Sequence, residues 1–345
     1  VNFGVVLHAV IREVCDEIKK NGESYYLISE EKRREMVKRS VAAITDIYQN
    51  SILKDSSRNS FMIKRMEDLA DRTVWAMGEQ LKCGDFVPFV FEHKFNMEVG
   101  DGDRKQLMSG TIDRVDICEN GTDVYVRIID YKTGKKDFNI VKTYYGIDIQ
   151  LMVYMEAAMK LVAKMRPGKN VIPAGVFYYN ISDPIVSATT ESAEEIEDKI
   201  KGELRLKGMV NSDKDIAEKM DNTEGTSLNI PVSRKADGGF DSRRSKVMNT
   251  EQFNILGRFV DVRAIDTADR IAGGDIRRSP YKDGQFSSCD RCPYGAVCGF
   301  SVDLPGCNYR KLKKFDDEVL WNNIKEGVVA SGGSYKIVQP FEVYC

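Results

Sequence analysis

Val124-Tyr-Val-Arg-Ile-Ile-Asp-Tyr-Lys132 is the stretch on which the reading of this chain turns. β-Branched residues alternate along it, so Val124, Val126, Ile128, Asp130 and Lys132 share one face of a strand. A carboxylate and an ammonium group therefore point the same way. The preceding β-like run starts at Gln106 and contains Gly110-Thr-Ile-Asp113, and Gly121 turns the chain back. A hairpin-like pair of this kind brings Asp113 beside Asp130.

Two carboxylates and a lysine so arranged suit metal-dependent phosphodiester chemistry. Mg²⁺ and similar hard cations take oxygen ligands and keep several waters, so one or two carboxylates plus a substrate phosphate suffice. Such an ion acidifies water and offsets charge on phosphoryl oxygens, while Lys132 can hold or polarise the attacking water. The competing reading is a surface Asp/Lys ion pair, which contributes little, and D-x-K is a common tripeptide.

The flanking pattern favours the first reading. GTIDRVD at 110–116, IDYKTGKK at 129–136 and YGIDIQLMVY at 145–154 together resemble the RecB-family branch of the PD-(D/E)xK nucleases, and within it the nuclease domains of AddAB-type helicase-nucleases. FGVVLHAVIREV at 3–14, GVFYYNISDPI at 175–185 and SCDRCPYGAVCGF at 288–300 fit the same pattern. The resemblance covers nearly the whole chain and departs from it at about 190–250.

The resemblance implies roles residue by residue. Asp113 and Asp130 match the metal-binding acids, and Lys132 the catalytic lysine. His8, on the first helix, matches a histidine that reaches the metal site, and Glu92, in VPFVFEHKF at 87–95, an acidic residue before the core motif. Gln150 and Tyr154, at i and i+4 on the helix after the core motif, match residues that orient substrate or the lysine. Taken alone, His8 among Val5, Val6, Leu7 and Val10 reads as a packed core residue. Gln150 and Tyr154, interleaved with Leu151, Met152 and Val153, read equally as one face of an amphipathic helix. His93 alternates away from Glu92 and reads as structural.

A second constellation is Cys289-x2-Cys292-x5-Cys298, followed by Cys307. The spacing by itself fits zinc or an iron-sulfur cluster. The resemblance implies a [4Fe-4S] cluster whose first cysteine lies upstream of the histidine motif. Val1 is only seven residues before His8, so the expectation is an absent or incomplete cluster, with Cys15 or Cys307 as substitutes, or adventitious zinc. Cys83, Cys118 and Cys345 read as unpaired thiols, and nothing at the start reads as a secretory signal, which points to a reducing cytoplasm.

With 345 residues and 42% hydrophobic content the chain can bury a large core in one domain or two, and no apolar stretch approaches a membrane span. Lys and Arg total 51 against 53 Asp and Glu, a formal charge of −2, which argues against a uniformly basic DNA binder. Basic clusters are local: Lys132, Lys135, Lys136 and Lys142; Arg243, Arg244 and Lys246; and Arg310, Lys311, Lys313 and Lys314. Lys135, Lys136 and Lys142 form the expected phosphate track. No G-x-x-x-x-G-K-[ST] occurs, so ATP hydrolysis is not expected.

Periodicity predicts helices near 4–20, 30–54 and 59–82, strands near 87–97, 106–118 and 122–132, a helix at 144–164 and a strand at 172–181. The expected fold class is α/β, a PD-(D/E)xK core with a central mixed sheet flanked by helices. Residues 1–86 form its helical N-terminal part and 87–185 its catalytic core. Residues 186–250, including a charged helix at 193–207, read as a mobile insertion, and 251–345 as a helix, cysteine loop and tail.

The expected function is a Mg²⁺- or Mn²⁺-dependent DNA exonuclease acting on single-stranded DNA, the 5′-terminated strand, during double-strand-break repair. Its implied partners are DNA and the helicase subunit of an AddAB-type complex. The alternatives are a catalytically silent nuclease-like DNA-binding module and a stand-alone iron-sulfur nuclease of CRISPR adaptation.

Overall fold

The computed structural model describes residues 3–49, 57–99, 106–187 and 191–329. Three helices open the chain: α1 (Phe3–Lys20), α2 (Glu30–Gln49) and α3 (Ser57–Lys82). Their apolar residues recur every three or four positions, as in Val6, Leu7, Val10, Ile11 and Val14, and all of these are buried. Against them pack Ile129 and Tyr131 of β3 (Asp123–Lys132) and Phe177 and Tyr179 of β4 (Asn170–Asn180), giving one continuous core.

The central sheet has six strands in sequential order, with β1 (Val87–Val99), β2 (Gln106–Asn120), β5 (Lys207–Asn211) and β6 (Val247–Met248) completing it. β2 and β3 form the expected antiparallel hairpin, closed at Asn120↔Asp123 with Gly121 at φ +59°, as a primed two-residue turn requires. β3 pairs parallel with β4, so the chain crosses over between them through α4 (Ile140–Tyr144) and α5 (Gln150–Met165). The helix predicted at 144–164 is α5, which starts six residues later, and the short α4 before it was not predicted. Gly146, at φ +72°, lies between the two, and the Asn139 side chain caps α4 by accepting from Lys142 N at 3.1 Å.

Within 186–250, read from its turn-rich composition as a mobile insertion, residues 207–211 and 247–248 are strands of the central sheet. After α6 (Ala193–Glu203), β5 pairs antiparallel with β4 and parallel with β6, and α7 (Lys214–Met220) buries Ile216, Ala217 and Met220. Polar side chains hold the intervening loop. Asp221 accepts from Ser227 Oγ at 2.6 Å and from Thr223 N at 2.8 Å, and the Arg234 guanidinium donates to the carbonyls of Thr223 and Ala217. These turn-forming residues tie the loop down.

The chain continues through α8 (Thr250–Ala272), a small sheet of β7 (Tyr281–Asp283), β8 (Phe286–Ser287) and β9 (Arg310–Lys311), the short α9 (Gly295–Cys298) and α10 (Asp317–Val329). Two compact units result. The first comprises Val1–Phe95, Ser109–Phe138 and Tyr154–Phe253; the second comprises Asn96–Met108, Asn139–Val153 and Asn254–Cys345. Among the described residues no helix is long and apolar enough to cross a membrane.

Candidate active site

The β2–β3 register carries Arg114 opposite Ile129, one step from Asp113 and Asp130. Asp113, 7% exposed, accepts a 2.6 Å hydrogen bond from the backbone N–H of Tyr131, which fixes one carboxylate oxygen against the neighbouring strand. Its other oxygen stands 3.4 Å from His8 Nδ1 on α1. Glu92 Oε1 approaches the same nitrogen at 3.4 Å from β1. Ligand atoms of His8, Glu92 and Asp113 all lie within 4.8 Å of one another, the one such convergence of three or more metal-ligating side chains among the described residues.

Glu92 reaches this position from a backbone at φ +46°, the left-handed region that a non-glycine residue enters at a cost of about 1–3 kcal/mol. Asp130, 2% exposed, sits beside this group with its carboxylate 2.6 Å from Lys132 Nζ, and is not one of the three that converge. Alternation placed Asp130 and Lys132 on one face, and the ion pair has that geometry.

Electrostatics mark the place as a charge trap. Burial would lower the His8 pKa, but hydrogen bonds to Asp113 and Glu92 outweigh it and raise the imidazole to about 10. Burial, and then the charge of Asp113, push Asp130 up to about 6 against the pull of Lys132. Two carboxylates and an imidazole in one half-buried spot are a donor set that a hard divalent ion satisfies.

Beneath the centre, sequence reasoning missed a buried support. Asp116 accepts from Arg114 Nε at 2.7 Å and Nη2 at 2.6 Å, and from Arg127 Nε at 2.8 Å, all three residues being at most 1% exposed. Arg127 rests on the Phe86 ring at 4.8 Å. Together they cross-link β2 to β3 behind Asp113 and Asp130. A charged residue in mid-strand among Val126, Ile128 and Ile129 was the available signal, because a buried arginine needs a carboxylate.

The other expected residues are distributed. Tyr154 lies in the first unit, its ring edge-on to Phe95 at 5.7 Å, and Gly110 leaves room for both rings, since a Cβ there would come within 2.9 Å of Phe95. Gln150 opens α5 and belongs to the second unit. Lys142 belongs to that unit too and pairs with Asp283 at 2.9 Å. Lys135 and Lys136 stay in the first unit, on the turn after Lys132.

Cys289 and Cys292 sit in a turn and Cys298 ends the short α9 that follows it, Cys292 exposed and the other two half-buried as free thiols. Cys292 N donates to Cys289 O at 3.1 Å, and Cys298 N to Tyr294 O at 2.8 Å. Three thiols are donors of the type that zinc or an iron-sulfur cluster takes, but their sulfurs are not gathered into a converging group among the described residues. Cys15 is buried on α1 and Cys307 is disulfide-bonded, so neither is offered as a fourth thiolate. Cys83 and Cys118 are free thiols, and Cys345 lies outside the described residues.

The sequence matches the family model of the PD-(D/E)XK nuclease superfamily over residues 2–299. The chain belongs to that superfamily. Its PD-(D/E)XK core is also similar to curated AddB proteins, which are subunits of an ATP-dependent helicase/deoxyribonuclease. Identity is 32% over 342 residues in Thermoanaerobacter sp. strain X514, 33% over 336 in Clostridium botulinum strain Hall, and 34% over 342 in Caldanaerobacter subterraneus subsp. tengcongensis. These alignments cover 94–96% of this chain and 29% of each relative, so the chain spans under a third of their length.

Proposed function

We propose that this chain is the nuclease portion of a helicase-nuclease subunit and hydrolyses phosphodiester bonds of single-stranded DNA, the 5′-terminated strand, during double-strand-break repair. The observation that carries the reading is the convergence of His8, Glu92 and Asp113 beside the Asp130–Lys132 pair. His8, Glu92 and Asp113, with Asp130 next to them, would hold one Mg²⁺ or Mn²⁺. When bound, that ion would supply Lewis-acid charge to the phosphoryl group and lower the pKa of a water.

The remaining work belongs to side chains. Lys132 holds the water in line with the phosphorus and balances charge on a non-bridging oxygen, Asp130 fixes Lys132, and the Tyr131 N–H fixes Asp113. Water attacks the phosphorus and gives up a proton to solvent, the P–O ester bond breaks, and the leaving sugar oxygen takes a proton from solvent. The partners are a DNA end and a helicase subunit of an AddAB-type complex, in a cytoplasmic setting.

Cys289, Cys292 and Cys298 would supply three of the four thiolates of a [4Fe-4S] cluster. Iron content and visible absorption of the wild-type chain against Cys292→Ser test that assignment, with sub-stoichiometric metal that the variant loses as the expected result. The function itself is tested by incubating the chain with single-stranded DNA labelled at one end or the other. Metal-dependent loss of a 5′ label in small products is expected, and a strand left intact with Mg²⁺ and with Mn²⁺ would refute the reading.

A further inference from the structure

Within the first unit a groove of about 1220 Å³ opens beside the catalytic strand. Leu7 of α1, the start of α3 from Phe61, the turn at 133–137 and residues 180–185 line it. Its lining runs from α1 and α3 across the turn to residues 180–185, an open shape that suits a stretch of polymer.

Tyr178 joins the groove to the centre. Its ring centroid lies 5.6 Å from Lys132 Nζ and 5.4 Å from Nζ of Lys136, which lines the groove. The turn that carries Lys136 is held rigidly: Asn180 Oδ1 accepts from Lys136 N at 2.9 Å and Asn180 Nδ2 donates to Lys136 O at 3.0 Å.

The groove is net positive. Lys64, Arg65, Lys135, Lys136 and Lys207 line it with four carboxylates. Two of those acids are neutralised by cations from outside the lining, Asp137 by Lys246 at 2.6 Å and Asp183 by Arg72 at 3.1 Å, while Asp68 takes Lys64 at 2.8 Å. On α3, Phe61 and Arg65 stand four residues apart and share a helix face, and the Phe61 side chain is 64% exposed. Ile185, fully exposed, lies on the same lining.

One exposed apolar side chain is ordinary. An exposed ring one helical turn from an arginine, on the wall of a net-positive groove whose lining includes Leu7 and Thr133, the chain neighbours of His8 and Lys132, has the composition of a single-strand track. Such tracks hold phosphates on cations and stack bases on aromatic rings. Stacking requires unpaired bases, which a duplex does not present.

We infer that this groove holds the single DNA strand next to the scissile phosphate, with Phe61 as a base platform and Arg65, Lys135 and Lys136 as phosphate contacts. The identity of the polymer rests on the nuclease reading; the groove's preference for unpaired strands does not.

The test is fluorescence anisotropy with the full chain and no divalent metal, using an oligothymidylate of about 20 nucleotides, longer than the ~4–16 that such grooves commonly cover, and a duplex of equal length. The single strand is expected to bind more tightly than the duplex. Phe61→Ala should weaken it about tenfold, and Arg65→Glu should weaken it and flatten its salt dependence. Lys160→Glu, at an exposed position on α5, should change nothing, and thermal melts show whether each variant is folded.

Folded Phe61→Ala and Arg65→Glu proteins that bind like wild type, or equal affinity for duplex, would overturn the inference. Cleavage assays on the same proteins separate the two claims. Cutting by wild type with binding unchanged in the variants sinks the groove alone, whereas Phe61-dependent binding without metal-dependent cutting sinks the nuclease reading alone.

Discussion

Glu92 Oε1 lies 3.4 Å from His8 Nδ1, and the glutamate reaches it from a left-handed backbone, φ +46°, in the middle of a strand. A carboxylate in a conformation that favours glycine implies strain retained for the site. Glu92→Gly should therefore make the metal-free protein about 1 kcal/mol more stable than Glu92→Ala, which keeps the strained Cβ. Both variants should bind Mn²⁺ about tenfold or more weakly than wild type by calorimetry. Equal stability of the two variants would argue against strain, and unaltered Mn²⁺ affinity would remove Glu92 from the metal site.

Without metal, His8 should make stability depend on pH. Its folded pKa of about 10 lies above the ordinary imidazole value of 6.5, because Asp113 and Glu92 hold the proton more strongly than burial expels it. The stabilisation is fully present below pH about 6.5 and is lost as pH rises through about 10. Urea unfolding across that window in the presence of a chelator should show a falling midpoint, and His8→Gln should flatten the fall. An equal slope in wild type and variant would show that His8 is not held by the two carboxylates.

The segment after α6 should behave as core. A Cβ at Gly208 would stand 1.9 Å from the Val176 carbonyl oxygen, so Gly208→Ala must displace β5. The expected cost is about 1–3 kcal/mol or more, read from the urea midpoint. An insertion outside the sheet would tolerate the same change without effect.

Much of this arrangement was legible in the sequence because it is periodic. Helices α1–α3 repeat apolar residues at helical spacing, and β3 alternates, which by itself placed Asp130 and Lys132 on one face. The less regular features were hidden. Lys-Gly-Met-Val-Asn at 207–211 has little strand propensity and is a strand because β4 and β6 pair with it, a tertiary effect that overrides local preference. Gly146, a left-handed residue, separates α4 from α5. Lys142 stands close in sequence to the proposed phosphate track but belongs to the second unit, where Asp283 takes its charge. The left-handed backbone of Glu92 has no signature in the sequence around it, VPFVFEHKF, which reads as ordinary strand.

The central claim is that Asp130 and Lys132 act on a phosphodiester. Its most direct measurement is the rate of Mn²⁺- or Mg²⁺-dependent degradation of end-labelled single-stranded DNA by wild type, Asp130→Ala and Lys132→Ala, each shown to be folded by its thermal melt. Each variant removes a preorganised group acting in the transition state and should lose about 10²- to 10³-fold in rate or more, with no cleavage by wild type when the metal is chelated. A folded Asp130→Ala or Lys132→Ala protein that cuts at near wild-type rate, or wild-type cleavage that persists in chelator, would contradict the account.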